Sequence, residues 1–206
     1  MKKILCLCLL LAALAAGLSA CQQPEPEEPV PNPVATITMS DGRRMRFELR
    51  PDMAPNTVAN FVKLANDGFF DGQRFFRVVS GVLIQAGDPR NDGTGDPGYA
   101  IKGEFADNGF KQNTLTHVRG TLSMARQSGY DTAGSQFFIL HYSYPEYDGK
   151  YAAFGTIQDE DSLAVLDALA TQPVDGSFRP LTAEVIASIR VETYEAEYEP
   201  VTLDRK

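Results

Sequence analysis

The sequence predicts a mainly β domain that also contains two helices. Short segments in which apolar and polar residues alternate recur along the chain, and segments rich in Gly, Asp and Asn separate them, which is typical of strands and their turns. Apolar residues follow a helical period in one segment near each end of this region. With 206 residues, 43% of them hydrophobic and 22% charged, the chain is long enough for one domain with a proper core.

A hairpin begins the domain. Residues 34–39 and 43–49 are predicted strands around Ser40-Asp41-Gly42, because Asp-Gly suits a tight hairpin turn. The second strand alternates apolar and polar side chains, as a half-buried strand requires, and its apolar positions are Met45, Phe47 and Leu49.

Two helices are predicted from apolar spacing. The first begins at Pro55, since proline suits the first turn of a helix, and Gly68 fits its C-terminal end. Its apolar face holds Val58, Phe61, Val62 and Ala65. The second helix spans residues 161–170, and its apolar face holds Leu163, Leu166, Leu169 and Ala170.

The segment 75–88 consists of two apolar runs of strand length around Ser80-Gly81. Arg77 and Gln85 are its strong side-chain hydrogen-bond donors. An arginine among phenylalanines and aliphatic residues is usually paired or functional. The alternative is an ordinary strand from which the arginine reaches solvent along its aliphatic stem.

The remaining strands follow a long connection. Residues 88–113 are rich in Gly, Asp and Asn, which predicts a long ordered loop. Further strands are predicted at 120–124, 136–140, 153–158 and 182–193.

The N-terminal residues predict export. Lys2 and Lys3 precede an apolar stretch, 4–16, that is too short to span a bilayer comfortably. Small residues then precede Cys21, which resembles a bacterial lipoprotein signal whose cysteine is lipidated after cleavage. We therefore expect a lipoprotein signal peptide over residues 1–20 and lipidation of Cys21. The alternative is an ordinary secretory signal with a cysteine by chance.

A tether and a folded domain are expected after the signal. Residues 21–33 form a Pro/Glu-rich tether from the lipidated cysteine, since 22–33 holds five Pro and three Glu and cannot bury enough apolar surface to fold. The folded domain is predicted over 34–193, and 194–206 is predicted to be a C-terminal tail. We expect the protein in the cell envelope, attached to the membrane by acyl chains, with the outer membrane, on its periplasmic or surface face, as its location.

Charge and cysteine content argue against several function classes. The formal net charge of -8 is unlike that of nucleic-acid-binding proteins, which need Lys and Arg for phosphate. Cys6 and Cys8 would leave with the signal and Cys21 would carry lipid, so no thiol remains for a disulfide, a nucleophile or a metal site. His117 and His141 are isolated in the sequence and form no metal motif. We expect neither a metal nor a cofactor.

Short motifs for other chemistries also lack their context. Residues 93–98 match G-x-G-x-x-G, but no helical period follows, as a dinucleotide site would require. The acidic residues of 88–96 do not have the spacing of an EF-hand loop. No G-x-S-x-G nucleophile context is present, so hydrolysis is not expected.

Three further segments complete a series with 75–88. They are Leu122-Ser123-Met124-Ala125-Arg126, Gly134-Ser135-Gln136-Phe137-Phe138-Ile139-Leu140 and Tyr147-Asp148-Gly149-Lys150-Tyr151-Ala152-Ala153-Phe154-Gly155. The series resembles the cyclophilin family of peptidyl-prolyl isomerases from about Val34 to about Val191. The resemblance implies a closed eight-stranded antiparallel barrel capped by two helices, which acts on proline-containing polypeptides without a cofactor. We expect a monomer, since nothing in the sequence demands more.

The resemblance also implies the site residues. Arg77 matches the family's catalytic arginine, which would donate toward the prolyl nitrogen as that atom becomes pyramidal. Gln85 matches the amide that holds the substrate backbone, and Phe138 matches the floor of the proline pocket. The other implied substrate-binding positions are Val82, Leu83, Met124, Ala125, Arg126, Gln136, Tyr147 and Tyr151.

Some positions depart from the family pattern. Val82 stands where the best-known members carry Phe, and Glu146 stands where a Trp or another aromatic residue is common. Tyr147 replaces a usual Leu, and Tyr151 replaces the His of eukaryotic members, although bacterial relatives often carry Tyr there. The resemblance associates the Trp position with cyclosporin binding, so Glu146 leaves the sensitivity to this drug open.

Two hypotheses of function follow. The first is an enzyme that accelerates rotation about X-Pro bonds in exported proteins and so assists their folding. The alternative is a non-catalytic proline-peptide-binding module or chaperone of the cell envelope. The alternative is motivated by Val82 and Glu146, since a loosened pocket could bind proline without stabilising the twisted bond.

Overall fold

Residues 30–204 are described by a computed structural model. In chain order the elements are β1 (Val34–Met39), β2 (Arg44–Leu49), α1 (Pro55–Asn66), β3 (Arg77–Val79), β4 (Leu83–Ala86), β5 (Tyr99–Ala100), β6 (Thr121–Met124), β7 (Phe137–Leu140), β8 (Ala153–Ile157), α2 (Glu160–Ala170), β9 (Ile186–Glu192) and β10 (Leu203–Asp204). Two short 3₁₀ helices cover Ala106–Asn108 and Pro145–Tyr147.

Eight of these strands form one antiparallel sheet in the order β3-β4-β7-β6-β8-β2-β1-β9. The predicted N-terminal hairpin lies inside this sheet as β1 and β2. Its turn closes with Gly42 at a φ of 90°, a conformation that favours glycine, and Gly42 N–H donates to the Met39 carbonyl at 3.0 Å. The register pairs buried residues, with Ala35 opposite Phe47 and Ile37 opposite Met45.

The sheet is an open half-barrel, so the prediction of a closed barrel is wrong, whereas the mainly β class with two helices is confirmed. Among residues 30–204 the edge strands β3 and β9 share no ladder, and the edges approach each other at the Arg74–Val185 bridge. The Phe178 carbonyl instead accepts the Val78 N–H of β3 at 2.8 Å. Alternation predicts strands but not which segment covers an edge, and here a loop covers it.

The core lies between the apolar face of the sheet and the two helices. The predicted face of α1 is buried, and its Phe61 ring lies 5.4 Å from Phe70, 5.5 Å from Phe137 and 5.1 Å from Phe154, measured between ring centroids. Helix α2 buries Leu166, Leu169 and Ala170 as predicted, and Leu163 is partly buried against the same core.

The first turn of α1 is stabilised by a residue from the long loop. Ala54 precedes the helix and offers no side-chain cap. The Glu104 carboxylate instead accepts the N–H groups of Asn56 and Thr57 at 3.0 and 2.7 Å, and the Thr57 hydroxyl at 2.7 Å. Glu104 is 4% exposed, so a carboxylate shielded from water satisfies the helix N-terminus.

The end of the chain contacts the long loop and α1. Strand β10, within the predicted tail, pairs with β5, which lies within residues 88–113. Asn56 exchanges two hydrogen bonds with the Val201 backbone, at 3.0 and 2.7 Å. The loop 88–113 is therefore held at two places. Its strand β5 pairs with β10, and its Glu104 binds the N-terminus of α1.

The predicted signal peptide 1–20, the lipidation site Cys21 and most of the tether 21–33 lie outside the described residues. Within residues 30–204, no helix is long and apolar enough to span a membrane.

Glu104 generates a prediction about stability. We expect Glu104→Ala to lower the free energy of unfolding by about 2 kcal/mol, because buried N–H groups of α1 would lose their acceptor. Glu104→Gln keeps one carbonyl acceptor and should cost less. Urea unfolding followed by circular dichroism measures both variants. A Glu104→Ala protein as stable as the parent would contradict the capping role.

Candidate functional site

Three neighbouring strands bring the central predicted residues onto one rung of the sheet. Arg77 in β3 lies opposite Gln85 in β4, and Gln85 lies opposite Phe138 in β7. Directly opposed residues project from the same face of a sheet. The next rung faces the core and consists of Val78, Ile84 and Ile139. The three predicted residues therefore share the face that points away from the core.

Side-chain hydrogen bonds connect this rung to the loop that contains Gly93 and Gly95, and each residue in the series donates to the next. Arg77 Nη1 donates to Gln85 Oε1 at 3.1 Å, and Gln85 Nε2 donates to Gln136 Oε1 at 3.0 Å. Gln136 Nε2 donates to the carbonyls of Gly93 and Gly95 at 3.1 and 2.9 Å. Because a carbonyl can only accept, it fixes the donor end of Gln136 and then of Gln85. We call this chain of bonds the amide relay.

A buried carboxylate shapes the loop at the end of the amide relay. Asp88 is 0% exposed and accepts the N–H groups of Arg90 and Asp92 at 2.7 and 3.0 Å, together with that of Gly93. A Cβ at Gly95 would lie 2.0 Å from Asp88 Oδ1, so glycine is required at this close approach. Asp88 thereby folds the loop that presents the two carbonyls to Gln136.

A pocket of about 130 Å³ opens on this rung, and we call it the proline pocket because the family resemblance places a proline ring over Phe138. Its lining consists of Arg77, Leu83, Gln85, Ala125, Arg126, Phe138, Tyr147 and Tyr151. Leu83 and Phe138 are 4% and 3% exposed and form the apolar floor. The rings of Tyr147 and Tyr151 stand 5.8 and 5.6 Å from that of Phe138, at steep angles, and form a wall.

Tyr147 stays protonated at neutral pH, because its pKa is raised. Burial raises the pKa of Tyr147, the neighbouring Tyr151 and Tyr144 raise it further, and Arg77 partly opposes them. Its hydroxyl can therefore donate a hydrogen bond to a bound peptide rather than carry a charge.

His117 supports the pocket floor from below. Its ring stacks on Phe138, with centroids 6.2 Å apart and planes at 21°. Its Nδ1 lies 2.9 Å from Asp148 Oδ1, and its Nε2 lies 3.0 Å from Ser123 Oγ. The three side chains have the order of a hydrolytic triad, but Ser123 is 0% exposed and no substrate carbonyl can reach it. The group therefore positions Phe138.

Arg126 is committed to its own chain. Its Nε and Nη2 donate to the Lys150 carbonyl at 3.1 and 3.0 Å, and its Nη1 donates to the Gln127 carbonyl at 3.0 Å. Its guanidinium carbon also lies 4.8 Å from the ring centroid of Tyr151 and 5.1 Å from that of Phe105. Arg126 lines the pocket mainly by holding the Tyr151 wall in place.

The geometry suits a reaction that needs no nucleophile. A guanidinium lies beside an apolar slot, and an amide beside it can hold a peptide backbone. Within residues 30–204, no group of three or more His, Cys, Asp and Glu side chains could hold a metal ion. The guanidinium and the amide can bind and orient a peptide by hydrogen bonds.

Comparison with known proteins identifies the family. Residues 34–191 match the family described as cyclophilin type peptidyl-prolyl cis-trans isomerase/CLD. The chain belongs to the cyclophilin-type peptidyl-prolyl cis-trans isomerases. Peptidyl-prolyl cis-trans isomerase B of Bacillus subtilis is 50% identical over 119 residues, which cover 58% of this chain and 79% of that protein. A Helicobacter pylori peptidyl-prolyl cis-trans isomerase is 43% identical over 143 residues, 69% of this chain and 83% of its own.

A solved structure extends the likeness to three dimensions. A Cryptosporidium parvum cyclophilin, crystallised in the presence of the dipeptide Ala-Pro, superposes with a TM-score of 0.66 and 30% identity. The match covers 77% of this chain and 98% of that one.

The structure brings most predicted site residues together in the lining of the proline pocket, and three of them lie outside that lining. Gln136 reaches the cyclophilin site through the amide relay. Val82 packs against the cluster formed by Leu83, Phe138 and Leu140 but does not line the pocket. Met124 is 2% exposed and lies in the main core, because side chains alternate along β6 and its neighbour Ser123 takes the site face. Glu146, a departure from the family pattern, is exposed.

Sequence reasoning missed the residues that position the site. His117 and Asp148 hold Phe138, and Asp88 shapes the relay loop. Tyr144 also packs against the pocket cluster, 4.7 Å from the Tyr147 ring. A buried polar residue leaves little signal in one sequence, since its partner is remote in the chain. The available signal was the pair of glycines at 93 and 95, since glycine permits the close backbone approach by which their carbonyls meet Gln136.

Burial of His117 predicts a pH dependence of stability. Burial lowers its pKa below the ordinary 6.5, and the bond to Asp148 offsets this only in part. A base with a lowered folded pKa binds fewer protons when folded. Its contribution to stability is therefore complete above about pH 6.5 and is lost as the pH falls below that value.

We expect the free energy of unfolding to decrease between about pH 7 and pH 5, and to decrease less in His117→Gln. Urea unfolding at a series of pH values measures this difference. An NMR titration of the His117 ring in the unsubstituted protein provides an independent check, with a midpoint below 6.5 expected. A midpoint above that value would contradict the effect of burial.

Proposed function

We propose that this cyclophilin accelerates cis/trans rotation of X-Pro bonds in exported proteins, assisting their folding from a membrane-attached position in the cell envelope. Arg77 is the catalytic residue in this proposal. The observation that carries it is the shared pocket of about 130 Å³, which the Arg77 guanidinium and the Phe138 ring both line.

Arg77 would act on the twisted bond. Rotation is slow because amide resonance holds the bond planar, with a barrier of about 18–20 kcal/mol. Halfway through the rotation the prolyl nitrogen regains a lone pair and can accept a hydrogen bond. The guanidinium donates one hydrogen bond to Gln85, and its other N–H groups can donate to the substrate. A donor that binds the twisted form better than the planar form lowers the barrier.

The apolar floor would hold the proline ring while the preceding carbonyl swings. Leu83 and Phe138 offer a slot that excludes water, and a hydrogen bond from Arg77 is stronger beside such a slot than in bulk water. Gln85 has its amide in the same pocket and would hold the peptide backbone. Substrate therefore needs a proline and an accessible backbone, and little else.

The envelope part of the proposal is supported by the sequence. A basic start, a short apolar stretch and small residues lead to Cys21, and a segment with five Pro and three Glu follows over 22–33. A tether of that composition would hold the domain clear of the membrane, where exported chains are still folding.

The catalytic role of Arg77 is tested by exchange NMR on an Ala-Pro peptide with the full chain. We expect Arg77→Ala to lower kcat/KM by about 100-fold, since one preorganised donor at a charge-developing atom is typically worth this much. Arg77→Lys keeps the charge but loses the planar fork, and its activity should lie between the two.

Arg44→Ala is the matched control, because Arg44 is exposed on β2, outside the residues that line the site. It should exchange the peptide as the unsubstituted chain does. If Arg77→Ala were equally active, Arg77 would not be the catalytic residue. Peptide binding without any exchange by the unsubstituted chain would favour the binding module instead.

Membrane attachment is tested by labelling. In a bacterial host we expect the chain to incorporate labelled palmitate and to sediment with membranes, and Cys21→Ser to do neither. Cys6→Ser is the control, since it lies within the predicted signal. Equal labelling of the Cys21→Ser chain would exclude this anchor.

A further inference from the structure

A second cleft adjoins the proline pocket. It has a volume of about 280 Å³ and shares Arg77 and Gln85 with the proline pocket. Arg179 and Asp92 bring further charges to its lining. A peptide advances about 3.3 Å per residue when extended. Because this cleft shares Arg77 with the proline pocket, it is within reach of the peptide side chains one or two positions from a bound proline.

The charges of this cleft are unequal. Among residues 30–204, no carboxylate forms an ion pair with Arg77 or with Arg179. Asp92 is the acidic member of the lining, but its Oδ1 already accepts the N–H and hydroxyl of Thr94 at 2.9 and 2.6 Å. The lining of the cleft thus carries two arginines against one carboxylate, in a chain of formal net charge -8, and the charges of Asp92 and of the neighbouring Asp175 both act on Arg179.

The backbone of Arg179 is held in place beside the cleft, which its side chain lines. Its N–H donates to Asp175 Oδ1 at 2.9 Å, and its carbonyl accepts the Asp175 N–H at 2.8 Å. The preceding Phe178 has a φ of 63° and binds the edge of β3 through Val78 at 2.8 Å. This turn fixes Arg179 beside the strand that carries Arg77.

The pocket on the other flank of the amide relay differs. It measures about 170 Å³ and is lined by Arg126 and Asp96 as its charged residues, so its charges balance. The guanidinium of Arg126 is also committed to backbone carbonyls. An excess of one positive charge in the lining is therefore found on one flank of the proline pocket.

We propose that the cleft between Arg77 and Arg179 is a subsite for an acidic side chain, so that this isomerase prefers X-Pro segments with Asp or Glu one or two positions from the proline. The proposal rests on the isomerase function proposed above and names its substrate class. A carboxylate in the cleft would meet two guanidinium groups, and Arg offers carboxylates a matched planar fork. The local positive field in an acidic protein would also guide such segments to the site.

The test compares matched peptides, each with Glu or Gln at one of the two positions before or after the proline. We expect one Glu placement to raise kcat/KM over its Gln partner by about fivefold at low salt, the range of a partly exposed ion pair. The gain should shrink in about 0.5 M salt, where exposed charges are screened. Exchange NMR with the full chain gives every rate.

Arg179→Gln should bring the ratio of the Glu rate to the Gln rate close to one, whatever its effect on the absolute rates. Arg44→Gln removes the same charge from a distant, exposed position and should leave that ratio unchanged. Equal ratios for Arg179→Gln and the unsubstituted chain, or no Glu preference at any position, would overturn the subsite. No exchange of the Gln peptides would instead contradict the isomerase function, so the two failures are distinct.

Discussion

The hydrogen bond from Arg77 to Gln85 is the interaction on which the active face depends. An arginine side chain loses about 2 kcal/mol of rotamer entropy when it is ordered. Gln85 restricts that freedom before a substrate arrives, because the amide relay already fixes Gln85 through Gln136 and the loop carbonyls. The guanidinium is therefore preorganised beside Phe138 and needs little rearrangement while the bond rotates.

Much of this arrangement could be predicted, because it depends on local pattern. Proline at Pro55 and helical spacing predicted α1, which begins at that residue. The turn at Ser80-Gly81 joins two short strands, so Arg77 and Gln85 must face each other once Val79 pairs with Leu83. The resemblance to the family predicted the roles of Arg77, Gln85 and Phe138, and the strand register explains why these residues lie together.

What could not be predicted depends on contacts between remote parts of the chain. Glu104 reaches the start of α1 from a loop, and Asp148 reaches His117 from beyond β7. Spacing within a segment says nothing about such partners. The same limit applies to the open edge of the sheet, which depends on the position of the loop that contains Phe178. It also applies to Met124, because the β6–β7 register decides which face of β6 its side chain occupies. These are also the contacts that hold the site rigid.

The most direct measurement of the central claim is the exchange rate of a proline peptide held at saturation, in the unsubstituted chain and in Gln136→Met. This change breaks the bond between Gln85 and Gln136 in the amide relay, and it leaves Arg77 itself unaltered. At saturation a loss of affinity has no effect, so the rate reports how well Gln85 and Arg77 are placed on the bound peptide. A rate lowered by about tenfold is the predicted result, since small misplacements of a catalytic group are costly. An unchanged rate would contradict the account.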